Sequence, residues 1–416
     1  MASLLRRYAP DFVATHRPQA VPQVQSTLAK LALCRTAALG GRCYCCDSCH
    51  TQCLVYNSCG DRHCPQCAGA RRADWLTSTS ELLLPDIRYF QVVFTIPDKL
   101  SALALGNRRA IYNLLFQSAW QALSSVIARE QGFEAAAVMV LHTWNQKLEP
   151  HAHVHALVPG GGPALHGPPR WVHSRRPDVP HDEGRYLVNA EELRITFRQN
   201  FLSGLRRLQR NKQLQLEGSW SACRDAAAFE DWLQPLAEIT WVAYIEPPPT
   251  EQSTPSQVLK YLARYLTGGP LADRRLISHE NGNVTFLART GTTTGGTRQS
   301  EPYTLSGVEF VRRWTCHILP KGYTKTRRFG GYSNRHCARY LHECEHLLSP
   351  QELVPSPPPS APESKPETTA HSDPSPSVER CCPTCMRHLR LMAEVPRHSW
   401  WSIMHSHWRP PWYTDA

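Results

Sequence analysis

The chain has 416 residues, with 46 Lys plus Arg against 35 Asp plus Glu, a net charge of +11 and 41% hydrophobic side chains. That length and apolar content allow a full core and two or three modules, and the excess of positive charge suits a polyanionic partner. No run of about 18 apolar residues and no signal-peptide pattern is present, which excludes a membrane partner and points to the cytoplasm, where 16 Cys indicate metal rather than disulfides.

Residues 1–33 carry a weak helical pattern around Leu28, Ala29, Leu31 and Ala32. Nine cysteines then fall between Cys34 and Cys67. Cys46-x-x-Cys49 and Cys64-Pro-Gln-Cys67 are two knuckles separated by 14 residues, a spacing that closes a structural four-thiolate Zn²⁺ site. A redox pair is the competing reading of either knuckle. Cys59 could be a fifth ligand or part of a second site.

After a helical bridge, Tyr89–Pro97 reads as a strand ended by proline, and Leu103–Glu130 as a long amphipathic helix covering one sheet face. Ala137–Trp144 is a second strand, turning through Asn145-Gln146-Lys147 into Glu149–Pro159 as a hairpin. In that second arm His151, His153 and His155 share one face while Ala152, Val154 and Ala156 pack behind them. A row of neutral imidazoles suits a divalent ion, and a hard Mg²⁺ or Mn²⁺ would want an oxygen beside them, from Gln146 or Glu149. A half-exposed strand rich in histidine is the alternative. His142 reads as a packed or solvent-facing strand residue, not a ligand.

From Gly160 to about Glu183 prolines prevent regular structure, and Asn189 caps a helix that runs to Leu208 and ends in a basic stretch. Trp241–Ile245 is a fourth strand. Gln257–Leu266 reads as a short helix stopped by Gly268-Gly269-Pro270, with Tyr261 and Tyr265 on one face. Glu280-Asn281-Gly282 marks a hairpin between 274–277 and 283–288. Phe310–Tyr323 and Arg327–Arg335 interleave arginine, lysine and aromatics, among them Lys321, Arg327 and Arg328, a mixture suited to a groove that tracks a DNA backbone. A Pro-rich linker follows, and then Cys382-Pro383-Thr384-Cys385, one knuckle that would need His388, Cys337 or Cys344 to hold an ion.

A strand with His153-Val154-His155 followed by a helix with Tyr261-x-x-x-Tyr265 resembles the two-tyrosine HUH rolling-circle transposases of insertion sequences. Asn57-Ser58-Cys59, Arg62-His63-Cys64-Pro65-x-Cys67 and Ala70-Arg71-Arg72-x-x-Trp75-Leu76 resemble their amino-terminal zinc-binding domain, and Leu319-Pro320-Lys321-Gly322 a further family segment. The resemblance implies an α+β fold: an HUH endonuclease core, an antiparallel sheet with flanking helices, behind a small zinc module. It implies a metal-dependent tyrosine endonuclease that nicks and rejoins single-stranded DNA at element ends and target, leaving a 5′-phosphotyrosine and a free 3′-OH. Tyr261 and Tyr265 would be the nucleophiles, His153 and His155 the principal ligands of the catalytic ion, and His151 and Gln146 auxiliary ones. Arg62, Arg71 and Arg72 would meet DNA phosphates, and the protein would be nucleoid-associated when acting.

The organisation this gives is an amino-terminal lead and zinc-binding domain over 1–80, a catalytic domain over 81–345, a linker over 346–379 and a Cys-containing tail over 380–416. A rolling-circle replication initiator would share the nuclease core. A non-catalytic zinc-dependent DNA-binding regulator would explain the cysteines and the charge but not the histidine row with the tyrosine pair.

Overall fold

A computed structural model describes residues 1–177, 185–246, 257, 259, 269–290, 299–349 and 380–413. Its helices are α1 (Ala2–Thr15), α2 (Pro22–Ala32), α3 (Ala68–Ser80), α4 (Ser101–Gly106), α5 (Arg108–Glu130), α6 (Ala190–Arg210), α7 (Ala226–Glu238), α8 (Gly307–Thr315), α9 (Cys337–Leu348) and α10 (Trp400–Met404). Its strands are β1 (Gly41–Cys46), β2 (Gln52–Tyr56), β3 (Tyr89–Thr95), β4 (Ala136–Trp144), β5 (Pro150–Pro159), β6 (Gly161–Pro163), β7 (Trp171–His173), β8 (Val242–Glu246), β9 (Leu276–Ser278), β10 (Asn283–Thr290), β11 (Gln299–Ser306), β12 (Thr326–Gly330) and β13 (Leu389–Val395). Packing divides the chain into one unit of Met1–Ala32, Gly60–Leu348 and Pro410–Ala416, and another of Leu33–Cys59 with Ser349–Arg409.

The larger unit is built on an antiparallel five-stranded sheet of order β12-β4-β5-β3-β8, so the histidine-bearing β5 is its central strand. Two-residue alternation sorts the side chains. Phe90, Val92, Phe94, Ala152, Val154 and Ala156 face the main core beneath α5 and α6. Tyr89, Val138, Val140 and Leu157 face the other way, into a second cluster that includes Tyr332, Tyr340 and Leu259. The expected fourth strand is β8, and a fifth, β12, pairs with β4 where the sequence suggested a DNA-tracking segment.

The helix expected over Leu103–Glu130 is two helices. Asn107 breaks it, and its side chain accepts from Gln215 N at 2.6 Å and donates to Gln215 O at 3.1 Å, so the break anchors a second segment. Nor is α5 one-sided: Tyr112, Leu114, Leu115 and Phe116 are all buried, because the sheet lies on one side and α6 packs on another. Asn189 caps α6 as expected, accepting from the N–H groups of Glu191 and Glu192. Between Gly160 and His173 the chain forms the small β6/β7 pair rather than a plain loop. The β9/β10 hairpin forms as read, and β11 extends it to three strands before Ser306 caps α8.

The weak amino-terminal pattern is two helices. Leu4, Leu5, Tyr8 and Phe12 of α1 are buried, and Gly307 at the start of α8 lets the Tyr8 ring approach. These contacts are why Met1–Ala32 packs with the larger unit.

The smaller unit holds a three-stranded antiparallel sheet of order β13-β1-β2. β13 pairs with β1 from Gly41↔Val395 to Cys46↔Leu389, so residues 380–409 complete this sheet and are not an appended tail. Among the described residues, no helix is long and apolar enough to cross a membrane.

Candidate metal centre

The site is set by strand pairing in the middle of the large sheet. His142 on β4 lies opposite His153 on β5, and Val140 lies opposite His155, which puts the three imidazoles on one face. One ligand-type nitrogen from each of His142, His153 and His155 lies within 4.8 Å of the other two. His142, omitted by the sequence reading, therefore takes the third place. His151 departs from the group: its Nδ1 pairs with Asp98 Oδ1 at 2.8 Å, though its ring stands 5.3 Å from that of His153. Gln146 is also set apart, on the exposed hairpin turn, where its carbonyl accepts from Arg275.

Hydrogen bonds fix which nitrogen faces the cluster. His153 Nδ1–H donates to the His151 carbonyl at 3.0 Å, leaving Nε2 as the lone-pair donor. His155 Nδ1 lies 3.2 Å from Gln91 Nε2, while Gln91 Oε1 is buried without a hydrogen-bond partner. A half-turn of that carboxamide places the oxygen on His155 Nδ1–H, which satisfies it and frees His155 Nε2. Gln91 on β3 is thus a second residue the sequence reading missed, with the character of a ring-orienting partner.

Burial keeps the His153 and His155 rings neutral. It pushes His153 well below its usual pKa, with the neighbouring His155 and His151 adding repulsion, and it lowers His155 to about 4, with Lys325 adding to the effect. Burial also lowers Lys325 to about 7, with the Arg62 charge second, and its ammonium stands 5.1 Å over the Trp144 ring. Three convergent imidazoles form a donor set that fits a divalent transition ion such as Mn²⁺ better than Mg²⁺.

Tyr261 and Tyr265 lie outside the described residues. Of their segment, Gln257 and Leu259 are described as helical, and Leu259 is buried among the residues of the histidine-bearing face.

The four thiols expected to share one zinc do not form one group. Cys46 and Cys49 have Cys382 and Cys385 as their neighbours, and the ligand sulfurs of these four lie within 4.8 Å of one another. Backbone N–H groups of Cys49 and Ser48 hold the Cys46 thiol below its usual pKa, and those of Cys385 and Thr384 do the same for Cys382. In the same unit Cys59 N–H donates to Cys34 Sγ at 3.4 Å. Cys64 and Cys67 belong to the larger unit, buried just before α3, with Cys67 N–H on the Cys64 carbonyl at 3.1 Å.

Several arginines expected on DNA are committed within the protein. The Arg62 guanidinium donates to the carbonyls of Tyr323, Leu319 and Pro320, fastening that loop. Arg327 donates to Asn113 Oδ1 at 2.6 Å and lies over the Phe116 and Tyr323 rings, and Arg328 donates to the Ser78 carbonyl. Lys321 is exposed and Arg72 half-buried on α3, whereas the Arg71 side chain lies outside the described residues.

A family model described as "Putative transposase" matches residues 136–339, and one described as "Transposase zinc-binding domain" matches residues 4–96. The chain is similar to the "Putative transposase y4qJ" of Sinorhizobium fredii (strain NBRC 101917 / NGR234), 35% identical over 358 residues and 86% of each chain. It is also similar to the "Transposase for insertion sequence element IS801" of Pseudomonas savastanoi pv. phaseolicola, 28% identical over 337 residues, 80% of this chain and 75% of that one. No solved structure matches.

Proposed function

The chain belongs to the IS91/IS801 family of insertion-sequence transposases, and from that premise we propose that it nicks and rejoins single-stranded DNA at element ends through 5′-phosphotyrosine intermediates. The observation that carries this reading is the trio His142, His153 and His155, whose nitrogens converge within 4.8 Å on the central strands of the sheet. A divalent ion held there would bind the oxygens of the scissile phosphate and offset the charge that builds on them. Tyr261 or Tyr265 attacks the phosphorus through its hydroxyl oxygen. The bond from phosphorus to the 3′-oxygen breaks, the tyrosine proton is lost, and the strand leaves with a 3′-OH.

Two tyrosines four residues apart, on the helix that the sequence predicts, would reach one phosphate in turn, which suits rolling-circle transfer: one link to DNA persists while the second cleavage is made. Lys321 and Arg72 are the DNA-phosphate contacts that this reading retains. A transposase family implies DNA as partner, and the amino-terminal zinc-binding domain is the part proposed to grip element ends.

The test is a single-stranded oligonucleotide carrying an element end, labelled at its 3′ end and incubated with the full chain. With Mn²⁺ the label becomes covalently attached to the protein, and with a chelator it does not. Binding without any metal-dependent adduct would leave a zinc-dependent DNA-binding protein and remove the nuclease reading.

A further inference from the structure

The two knuckles Cys46-Asp47-Ser48-Cys49 and Cys382-Pro383-Thr384-Cys385 have the same backbone. In each the first cysteine's N–H donates to the carbonyl five residues on, Cys46 to Thr51 at 3.0 Å and Cys382 to Arg387 at 2.7 Å. In each the first cysteine's carbonyl accepts from the residue after the second cysteine, from His50 and from Met386, both at 2.9 Å. Those two residues are non-glycines in the left-handed region, at φ 57 and φ 60. Such a conformation is costly, and its recurrence at equivalent positions indicates a shared constraint.

The two turns face each other across the β1/β13 pair. Cys46 Sγ lies 3.4 Å from Cys385 Sγ, and Cys49 Sγ lies 3.5 Å from Cys382 Sγ. All four cysteines are free thiols. Four sulfurs at about 2.3 Å from one zinc stand about 3.8 Å from one another, so this spacing is that of a tetrathiolate set and not of a packed apolar cluster. Backbone N–H groups are aimed at the sulfurs, as Thr384 N–H is at Cys382 Sγ at 3.4 Å, which suits thiolate charge.

We propose that Cys46, Cys49, Cys382 and Cys385 bind one zinc ion as four thiolates, and that the carboxy-terminal knuckle therefore supplies half of a metal site in the amino-terminal zinc region. The matched zinc-binding family model ends at residue 96, so it assigns no role to Cys382 or Cys385. The site clips together two segments about 330 residues apart in sequence, which are also tied by strand pairing, by surface ion pairs such as Arg42–Glu394 and Asp47–Arg390, and by hydrogen bonds such as that from Arg397 to the Cys59 carbonyl. Surface ion pairs contribute little, and a bound zinc would add a stronger clamp at the end of β13.

The test uses the zinc-loaded full chain. Elemental analysis should show that Cys46→Ser, Cys382→Ser and the double variant each lose one zinc per chain relative to the parent, with no further loss in the double variant. Cys381→Ser, which removes an exposed neighbour outside the group, should lose none. In the unmutated protein, thiol alkylation followed by mass spectrometry gives a readout that does not depend on variants folding. Cys46, Cys49, Cys382 and Cys385 should be protected together, and should become reactive together when a chelator is added, while Cys381 reacts throughout. Full zinc retention in Cys382→Ser, or alkylation of Cys382 and Cys385 as fast as Cys381 in the zinc-loaded chain, overturns the proposal.

Discussion

The His142 and His155 rings lie 4.6 Å apart between centroids, on neighbouring strands of the central pair. His142→Ala should therefore abolish metal-dependent strand cleavage as completely as His153→Ala or His155→Ala, while DNA binding persists. His151→Ala, whose ring is paired with Asp98, should retain most activity. Manganese binding by titration calorimetry, run beside the cleavage assay, separates the two groups. Full activity in His142→Ala would return the third place to another donor.

Gln91 acts on the site through His155. Gln91→Leu keeps the volume and removes the hydrogen bond that orients the ring, and should weaken manganese binding by about 10- to 100-fold. Excess metal should restore the cleavage rate, because the nucleophiles are untouched. An unchanged manganese affinity would show that the ring is held by packing alone.

His317 gives a pH dependence. It is fully buried between Thr143 and the Leu148 carbonyl, and burial lowers its pKa to about 4 from the ordinary 6.5. On acidification the unfolded chain takes up a proton near pH 6.5, whereas the folded chain does not until about pH 4. Its contribution is thus complete above about pH 6.5 and lost as the pH falls from there toward 4, on the order of 3 kcal/mol in all. Urea midpoints at neutral and acid pH should converge more in His317→Gln than in the parent.

Gly307 meets Tyr8 so closely that an added Cβ would lie 2.3 to 2.4 Å from three atoms of a buried ring. Gly307→Ala should cost about 1–3 kcal/mol by overpacking. Gly69→Ala in α3, where no atom stands within 4 Å of the added carbon, should leave the melting temperature unchanged or raise it. Equal melting temperatures for the two variants would remove α1 from the tertiary core.

Much of this was legible in sequence because it is local. The β4/β5 hairpin, the β3 neighbour and the Asn189 cap follow from alternation, turn residues and capping chemistry. His142 was not legible, since Trp144 pairs with Pro150 and regular pairing from there would set His142 against Ala152. A shift in register between His142 and Trp144 sets it against His153 instead. The ligand partners of Cys46 and Cys49 were illegible for a different reason. Spacing rules compare neighbouring knuckles, and Cys64-x-x-Cys67 is near in sequence while Cys382-x-x-Cys385 is far. A usable signal did exist in the repeated Cys-x-x-Cys. The pairing of Thr326–Gly330 with β4 was not legible either, because the arginines in it read as a basic segment, whereas in the fold Arg327 and Arg328 also make hydrogen bonds to Asn113 and Ser78 at the sheet edge.

The central claim, that paired tyrosines cut DNA at a histidine-held metal, is tested most directly by mapping the covalent link. The full chain is incubated with Mn²⁺ and a 3′-labelled single strand carrying an element end, digested, and the nucleotide-bearing peptide identified by mass spectrometry. The account predicts a phosphotyrosine at Tyr261 or Tyr265, loss of each by the matching Tyr→Phe substitution, no adduct at all in His153→Ala, and failure of complete transposition in either Tyr→Phe variant. An adduct on any other residue, or one that forms equally in His153→Ala, would contradict it.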